Sequence, residues 1–280
     1  RKEILRLLRV GAIDHLVGTH ALLEDRVQWD RLGLAIVDEQ HRFGVAQRAT
    51  LWKKGKELPP HVLIMSATPI PRTLHMTSYG DLDVSIIDEL PPGRKQIKTL
   101  HKTEYYRSDV IKFMKQQISK GRQVYVVYPL IEESESLDLE DLNNGYEKLL
   151  TFFPRPQYQI GVVHGRMKPE EKQMEMDRFE QGKTHILVST TVIEVGVNVP
   201  NAAVMIIENA NRFGLAQLHQ LRGRVGRGAY QSYCVLMTGN KLSDDARIRI
   251  QTMVRTTDGF EIAEVDLALR GPGNIQGTEQ

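Results

Sequence analysis

The chain has 280 residues, 41% of them hydrophobic and 26% charged, enough for two domains of ordinary size, each with its own core. Its 37 basic and 35 acidic residues leave a formal charge of only +2, so any nucleic-acid surface must be local rather than a property of the whole chain. A single cysteine, Cys234, excludes an intrachain disulfide and suits a reducing, cytoplasmic setting; no apolar run approaches the roughly 18 residues that span a bilayer.

Short apolar runs alternate with amphipathic stretches from end to end. Runs at residues 15–17, 34–37, 62–65, 123–128, 158–163, 185–188, 204–207 and 233–236 are mostly aliphatic or β-branched. That composition predicts strands covered on both faces. Between them, residues 105–120 place Val110, Ile111, Met114 and Ile118 on one helical face ahead of a stop at Gly121, and residues 169–180 open on Pro-Glu-Glu, a favourable first turn. The alternation predicts an α/β fold of parallel sheets. Paired prolines and a glycine at Pro91-Pro92-Gly93 mark a boundary. Three or four strands are expected before it and five or six after it. The expected organisation is residues 1–90 as the carboxyl half of a first lobe, 91–240 as a complete second lobe, and 241–280 as a helical extension. There is no initiator Met, and the chain reads as a fragment whose first lobe lacks its opening half.

The run at 34–37 leads directly into Asp38 and Glu39. In parallel sheets ligands gather beyond the carboxyl ends of strands, so both acids are candidates for a site. Asp38 would hold Mg²⁺ through water, because Mg²⁺ takes few carboxylates and keeps its waters; Glu39 would orient or deprotonate an attacking water. Taken alone the pair reads equally well as a solvated turn. Ser66 and Thr68 follow the next run and would relay the state of those acids to neighbouring loops. The strongest signal lies at Gln220-Leu221-Arg222-Gly223-Arg224-Val225-Gly226-Arg227-Gly228: three arginines in six residues, interleaved with glycine and free of acids. Guanidinium groups match phosphate oxygens bidentately, and glycine permits close backbone approach. Three apart, Arg224 and Arg227 would share a helical face. They would meet a terminal phosphate from the opposite lobe, a contribution worth about a thousand-fold or more in phosphoryl transfer.

Together, Asp38-Glu39-x-His41, Ser66-Ala67-Thr68 and Gln220-x-x-Gly223-Arg224-x-Gly226-Arg227 resemble helicase motifs II, III and VI of superfamily 2, in that family's order. Gly196-Val197-Asn198-Val199-Pro200 is similar to motif V, with Asn198 where many relatives carry Asp. The longer stretches from Asp38 to Val45 and from Thr68 to Leu74 resemble the RecG family and the transcription-repair coupling factors. Those from Tyr79 to Ser85 and from Asp88 to Arg94 are more similar to the RecG family. The resemblance implies tandem RecA-like lobes, ATP and Mg²⁺ as cofactors, and a motor that remodels branched or forked duplex DNA in repair and recombination. It also implies that Gln220 joins the catalytic set, that Gly196 and Asn198 border the nucleotide, and that His41 couples the acids to other loops. Residues 258–273 resemble a translocation motif in which a helical hairpin couples ATP turnover to movement on duplex DNA, with Arg270 as part of that coupling. Gly-x-x-x-x-Gly-Lys-Ser/Thr, the loop that cradles ATP phosphates, does not occur in the chain and is expected upstream of Arg1. The fragment alone is therefore expected to hydrolyse ATP poorly.

Candidate backbone-phosphate contacts follow apolar runs: Thr19 and His20; His164, Gly165 and Arg166; Thr190 and Thr191; with Arg72 as a further cation. None of them would read base edges, which suits movement along any sequence. Individually each reads as a helix cap or turn. The nine histidines show no metal-ligand spacing, and Trp29, Trp52, Tyr105 and Tyr106 read as packing residues. Two other readings are a coupling-factor motor, disfavoured by residues 79–94, and a noncatalytic DNA-binding or assembly module, disfavoured by the intact acidic and arginine sets.

Overall fold

The computed structural model describes residues 2–38, 54, 58–66, 83–87, 89–129, 135–190 and 199–270, without the side chains of His20 and residues 135–141. The chain divides into two compact units, Arg1–Ala67 and Thr68–Gln280.

In the first unit, helix α1 (Lys2–Arg9) buries Leu8, and strands β1 (Leu34–Asp38) and β2 (His61–Met65) pair in parallel, with Asp38 opposite Met65. Two expectations fail here. Residues 15–17 form no strand, and Val17 is exposed, because no described strand lies beside them to take their backbone hydrogen bonds. β1 and β2 are not covered on both faces: Leu34, Ile36, Leu63 and Met65 are exposed, since the described part of the unit supplies no layer over them.

The second unit is a six-stranded, wholly parallel sheet. Its strands are β3 (Lys98–Thr103), β4 (Gln123–Tyr128), β5 (Ile160–Val163), β6 (Ile186–Thr190), β7 (Ala202–Ile207) and β8 (Tyr233–Thr238), in the order β3-β8-β7-β4-β6-β5. Alternation along the strands separates two cores. Val124 and Val126 face one core with Val110, Ile111 and Met114 of helix α2 (Arg107–Ser119), and helix α3 (Glu135–Phe152) adds Leu142 and Leu149. Tyr125 and Val127 face the other, which takes Met176 and Phe179 from helix α4 (Pro169–Glu180) and Leu215, Leu218 and Leu221 from helix α5 (Leu215–Arg222). The helix starts and stops follow local chemistry. Pro169 opens α4 with Glu170 and Glu171 in its first turn, Lys168 N donates to Glu171 Oε2 at 3.1 Å, and Gly121 and Gly182 take positive φ just after α2 and α4. Helices α6 (Asp244–Arg255) and α7 (Gly259–Arg270) follow β8, and Ile250, Met253 and Ile262 bury into the same core as α5. Strand β3 was not expected: its sequence Lys-Thr-Leu-His-Lys-Thr is polar, but an edge strand is paired on one side only and half exposed. No helix among the described residues is long and apolar enough to cross a membrane.

Candidate functional site

In the first unit the parallel pair β1–β2 places two expected residues side by side. Asp38 ends β1 with its side chain exposed, and Ser66 follows Met65, the residue opposite Asp38. A carboxylate and a hydroxyl thus lie at the carboxyl end of two adjacent strands, where parallel sheets bind ligands. Glu39, His41, Thr68 and Arg72 lie outside the described residues. Among the described residues, no group of three or more His, Cys, Asp or Glu side chains converges. A single aspartate fits Mg²⁺, which binds through one or two carboxylates and retained waters, better than a metal needing a full protein cage. Thr19 caps a 3-10 turn at His20–Leu23, its hydroxyl accepting from Ala21 N at 3.5 Å. This is the cap reading.

The second unit holds its candidate residues at opposite ends of the sheet. At the carboxyl end, His164 follows β5 and Thr190 closes β6, with Val163 paired to Ser189. His164 Nδ1, Ser189 Oγ and Thr190 Oγ1 are buried atoms with no hydrogen-bond partner. Buried polar atoms without partners are uncommon and costly, so three within two adjacent strand ends suit an added acceptor or donor. Gly165 and Arg166 form the exposed turn beyond; Lys172 Nζ donates to Gly165 O at 2.9 Å. The His164 pKa lies below the ordinary histidine value, first through burial and then through the positive charges of Lys172 and Arg166. Thr191 lies outside the described residues.

At the amino end, the segment between α5 and β8 carries the arginines. Helix α5 stops at Arg222, so Arg224 and Arg227 do not share a helical face as expected. Gly223 caps the helix and Gly226 takes φ +79°, a left-handed conformation that turns the chain out of the helix. The turn is held tightly. A Cβ at Gly226 would lie 2.8 Å from Ile97 Cγ1, and one at Gly228 only 2.4 Å from Pro200 O. Arg224 and Arg227 are half-buried and have no carboxylate partner among the described residues. The Arg227 pKa is lowered by burial first, then by the charges of Arg224 and Arg94. Nearby, burial pushes the Tyr125 phenol up to about 12, against the opposing pull of Arg227 and Arg224. Gln220 is half-buried on α5, and Gly196 and Asn198 lie outside the described residues.

The sequence singles out Arg224 and Arg227 and assigns Arg222 no role; the structure gives Arg222 a structural one. Arg222 is buried, its Nη1 donating to Met253 O at 2.9 Å and Thr256 O at 2.8 Å, beyond the reach of a ligand. The signal was present, since Leu215, Leu218 and Leu221–Arg222 follow helical spacing on the core side. A second unforeseen pair joins α2 to the end of β7. Arg107 bonds the buried Glu208 through both carboxylate oxygens and Glu104 through Nη2 at 2.6 Å. Tyr105 and Tyr106 are exposed and not packing residues; they contact each other edge to face, and the Lys102 ammonium sits 4.8 Å from the Tyr106 ring. Arg270 ends α7, exposed and paired with Asp266 at 2.9 Å.

Family comparison matches residues 1–77 to the DEAD/DEAH box helicases, 107–229 to the helicase conserved C-terminal domain, and 256–280 to "ATP-dependent DNA helicase RecG, domain 3, C-terminal". The chain is 55% identical over 280 residues to the ATP-dependent DNA helicase RecG of Synechocystis sp., covering 100% of this chain and 33% of that protein. With the Escherichia coli K12 protein of the same name it shares 55% over 273 residues, 96% of this chain and 39% of that one. The chain therefore spans a third to two fifths of the length of these curated relatives. A solved structure of RecG bound to a three-way DNA junction superposes with a TM-score of 0.73 at 47% identity, over 97% of this chain and 35% of that one. A helicase MrfA bound to DNA and AMPPNP, at 18% identity and a TM-score of 0.53 over 79% of this chain and 32% of that one, shares the fold alone. The parallel sheets are those of tandem RecA-like helicase lobes.

Proposed function

We propose that this chain, which belongs to the RecG family of superfamily 2 DNA helicases, is the part of an ATP-driven motor that remodels branched duplex DNA. Residues 1–90 form the carboxyl half of the first lobe, 91–240 the second lobe, and 241–280 the translocation extension. Asp38 holds Mg²⁺ through water, and the ion's contribution is to neutralise charge on the phosphates. Glu39 orients the attacking water. Arg224 and Arg227 neutralise the terminal phosphate as charge develops on it, Gln220 supports them, and Gly196 and Asn198 border the nucleotide. Thr19, His20, Arg72, His164, Gly165, Arg166, Thr190 and Thr191 follow the DNA backbone. His41, Ser66, Thr68 and Arg270 couple the two activities. The branched partner is drawn from the relative whose structure holds a three-way junction.

The observation that carries the reading is the separation of chemistry in the second unit. Two arginines without carboxylate partners among the described residues sit at the amino end of the sheet, and the unpartnered uncharged atoms His164 Nδ1, Ser189 Oγ and Thr190 Oγ1 lie together at the carboxyl end. One end suits a polyphosphate, the other a sequence-independent nucleic-acid backbone. The test is Arg227→Ala in the full-length protein. DNA-stimulated ATP hydrolysis should fall by about a thousand-fold while affinity for forked DNA is retained. Hydrolysis at the parental rate would end the proposal. The 280-residue chain, which contains no Gly-x-x-x-x-Gly-Lys-Ser/Thr, should hydrolyse ATP poorly on its own.

A further inference from the structure

The geometry points to Arg94 as a third guanidinium of the arginine loop, binding the same nucleotide polyphosphate as Arg224 and Arg227. This rests on the proposed role of those two residues and extends it to a segment outside the helicase motifs quoted above. Pro91-Pro92-Gly93-Arg94 forms a closed turn: Arg94 N donates to Pro91 O at 3.0 Å and Gly93 takes φ +82°. Proline and glycine at the two central positions suit a type II turn and fix where Arg94 leaves it. The next residues are clamped to the segment after the arginine loop. Gln231 Nε2 donates to Gln96 O at 2.7 Å, and Lys98 N donates to Ser232 O at 3.0 Å. Ile97 packs directly on Gly226, the glycine between Arg224 and Arg227.

Arg94 therefore starts three residues from a contact that lies between the two arginines. It is exposed, has no carboxylate partner among the described residues, and its charge reaches Arg227. The charges of Arg224 and Arg94 both act on Arg227, without a carboxylate partner for any of the three among the described residues, and a polyanion relieves that repulsion. A nucleotide polyphosphate fits better than a DNA phosphate, because the uncharged unpartnered atoms suited to a nucleic-acid backbone, His164 Nδ1, Ser189 Oγ and Thr190 Oγ1, lie at the opposite end of the sheet, whereas the unpartnered Nε and Nη1 of Arg122, just before β4, add cationic donors at this end.

The test uses the full-length protein with Arg94→Ala, Arg94→Lys and Arg227→Ala. KM for ATP and kcat are measured at saturating forked DNA, and fork affinity at fixed salt. Arg94→Ala should raise KM for ATP about tenfold, the loss of one charge-assisted hydrogen bond, with fork affinity unchanged. Arg94→Lys should restore only part, because an ammonium lacks the planar fork. Unchanged KM and kcat in Arg94→Ala would overturn the inference, as would weaker fork binding with unchanged KM. Loss of hydrolysis in Arg227→Ala alongside a normal Arg94→Ala removes the role of Arg94 alone. Normal hydrolysis in Arg227→Ala removes the phosphate reading beneath it.

Discussion

Replacing Gly226 by alanine should damage the arginine loop in two separable ways. The first is backbone strain. Gly226 sits at φ +79°, where an L-residue costs about 1–2 kcal/mol. The second is steric. The new Cβ would lie 2.8 Å from Ile97 Cγ1 and 3.1 Å from Ile97 Cδ1, an overlap of the kind that costs about 1–3 kcal/mol in a packed interior. The sum is about 2–5 kcal/mol. Shortening Ile97 to alanine removes both atoms and leaves the strain. In a double-mutant cycle, Gly226→Ala and Gly226→Ala/Ile97→Ala should therefore show favourable coupling of about 1–2 kcal/mol. Urea unfolding followed by far-UV circular dichroism reads this from the transition of residues 68–280, the larger unit. Additive single and double variants would refute the Ile97 contact. A Gly226→Ala cost below about 0.5 kcal/mol, the size of an ordinary surface substitution, would refute the left-handed turn.

Arg222→Met keeps most of the side-chain volume but leaves Met253 O and the part-buried Thr256 O without their donor; at about 1–3 kcal/mol per unsatisfied carbonyl, the domain should lose about 2–6 kcal/mol, and hydrogen exchange should quicken in α6 and α7 first. Unchanged exchange there would show that Arg222 does not tether the extension. Arg107→Ala strands the Glu208 carboxylate, whose side chain is 7% exposed, and should cost about 3–5 kcal/mol; Glu208→Gln, which removes the charge and keeps an acceptor, should cost markedly less in the same denaturation assay. His101 and His164 both have pKa values lowered from 6.5, chiefly by burial, with Lys102 acting on the first and Lys172 and Arg166 on the second. The unfolded chain therefore takes up protons first, so stability is complete above about pH 6.5 and declines as pH falls toward the folded-state values. A melting temperature that rises between pH 7 and pH 5.5 would contradict that sign.

Much of the architecture follows from local pattern. Runs such as Val124–Val127 and Ala202–Ile207 are buried throughout, and a strand with both faces covered has no polar side to disguise it. Asp38 and Ser66 were legible because each follows an apolar run directly, and a strand end is a position that the sequence marks. The α/β class followed from residue types and spacing, whereas the motif order came from the resemblance to superfamily 2 helicases. Tertiary structure decided the rest. Residues 98–103 carry too few apolar side chains to announce a strand; they become one because β8 offers a free edge to pair with. Arg222, Arg224 and Arg227 lie within six residues of one another, and nothing in the letters says which of them the core takes. Helix register turns the first into the core, while beyond the helix, around the positive φ of Gly226 packed by Ile97 from more than a hundred residues earlier, the other two stay half-buried. The placement of Arg224 and Arg227 at one end of the sheet and of His164, Ser189 and Thr190 at the other is likewise a consequence of chain path. Spacing along a sequence measures distance along the backbone, and only folding determines which ends of the strands two loops share.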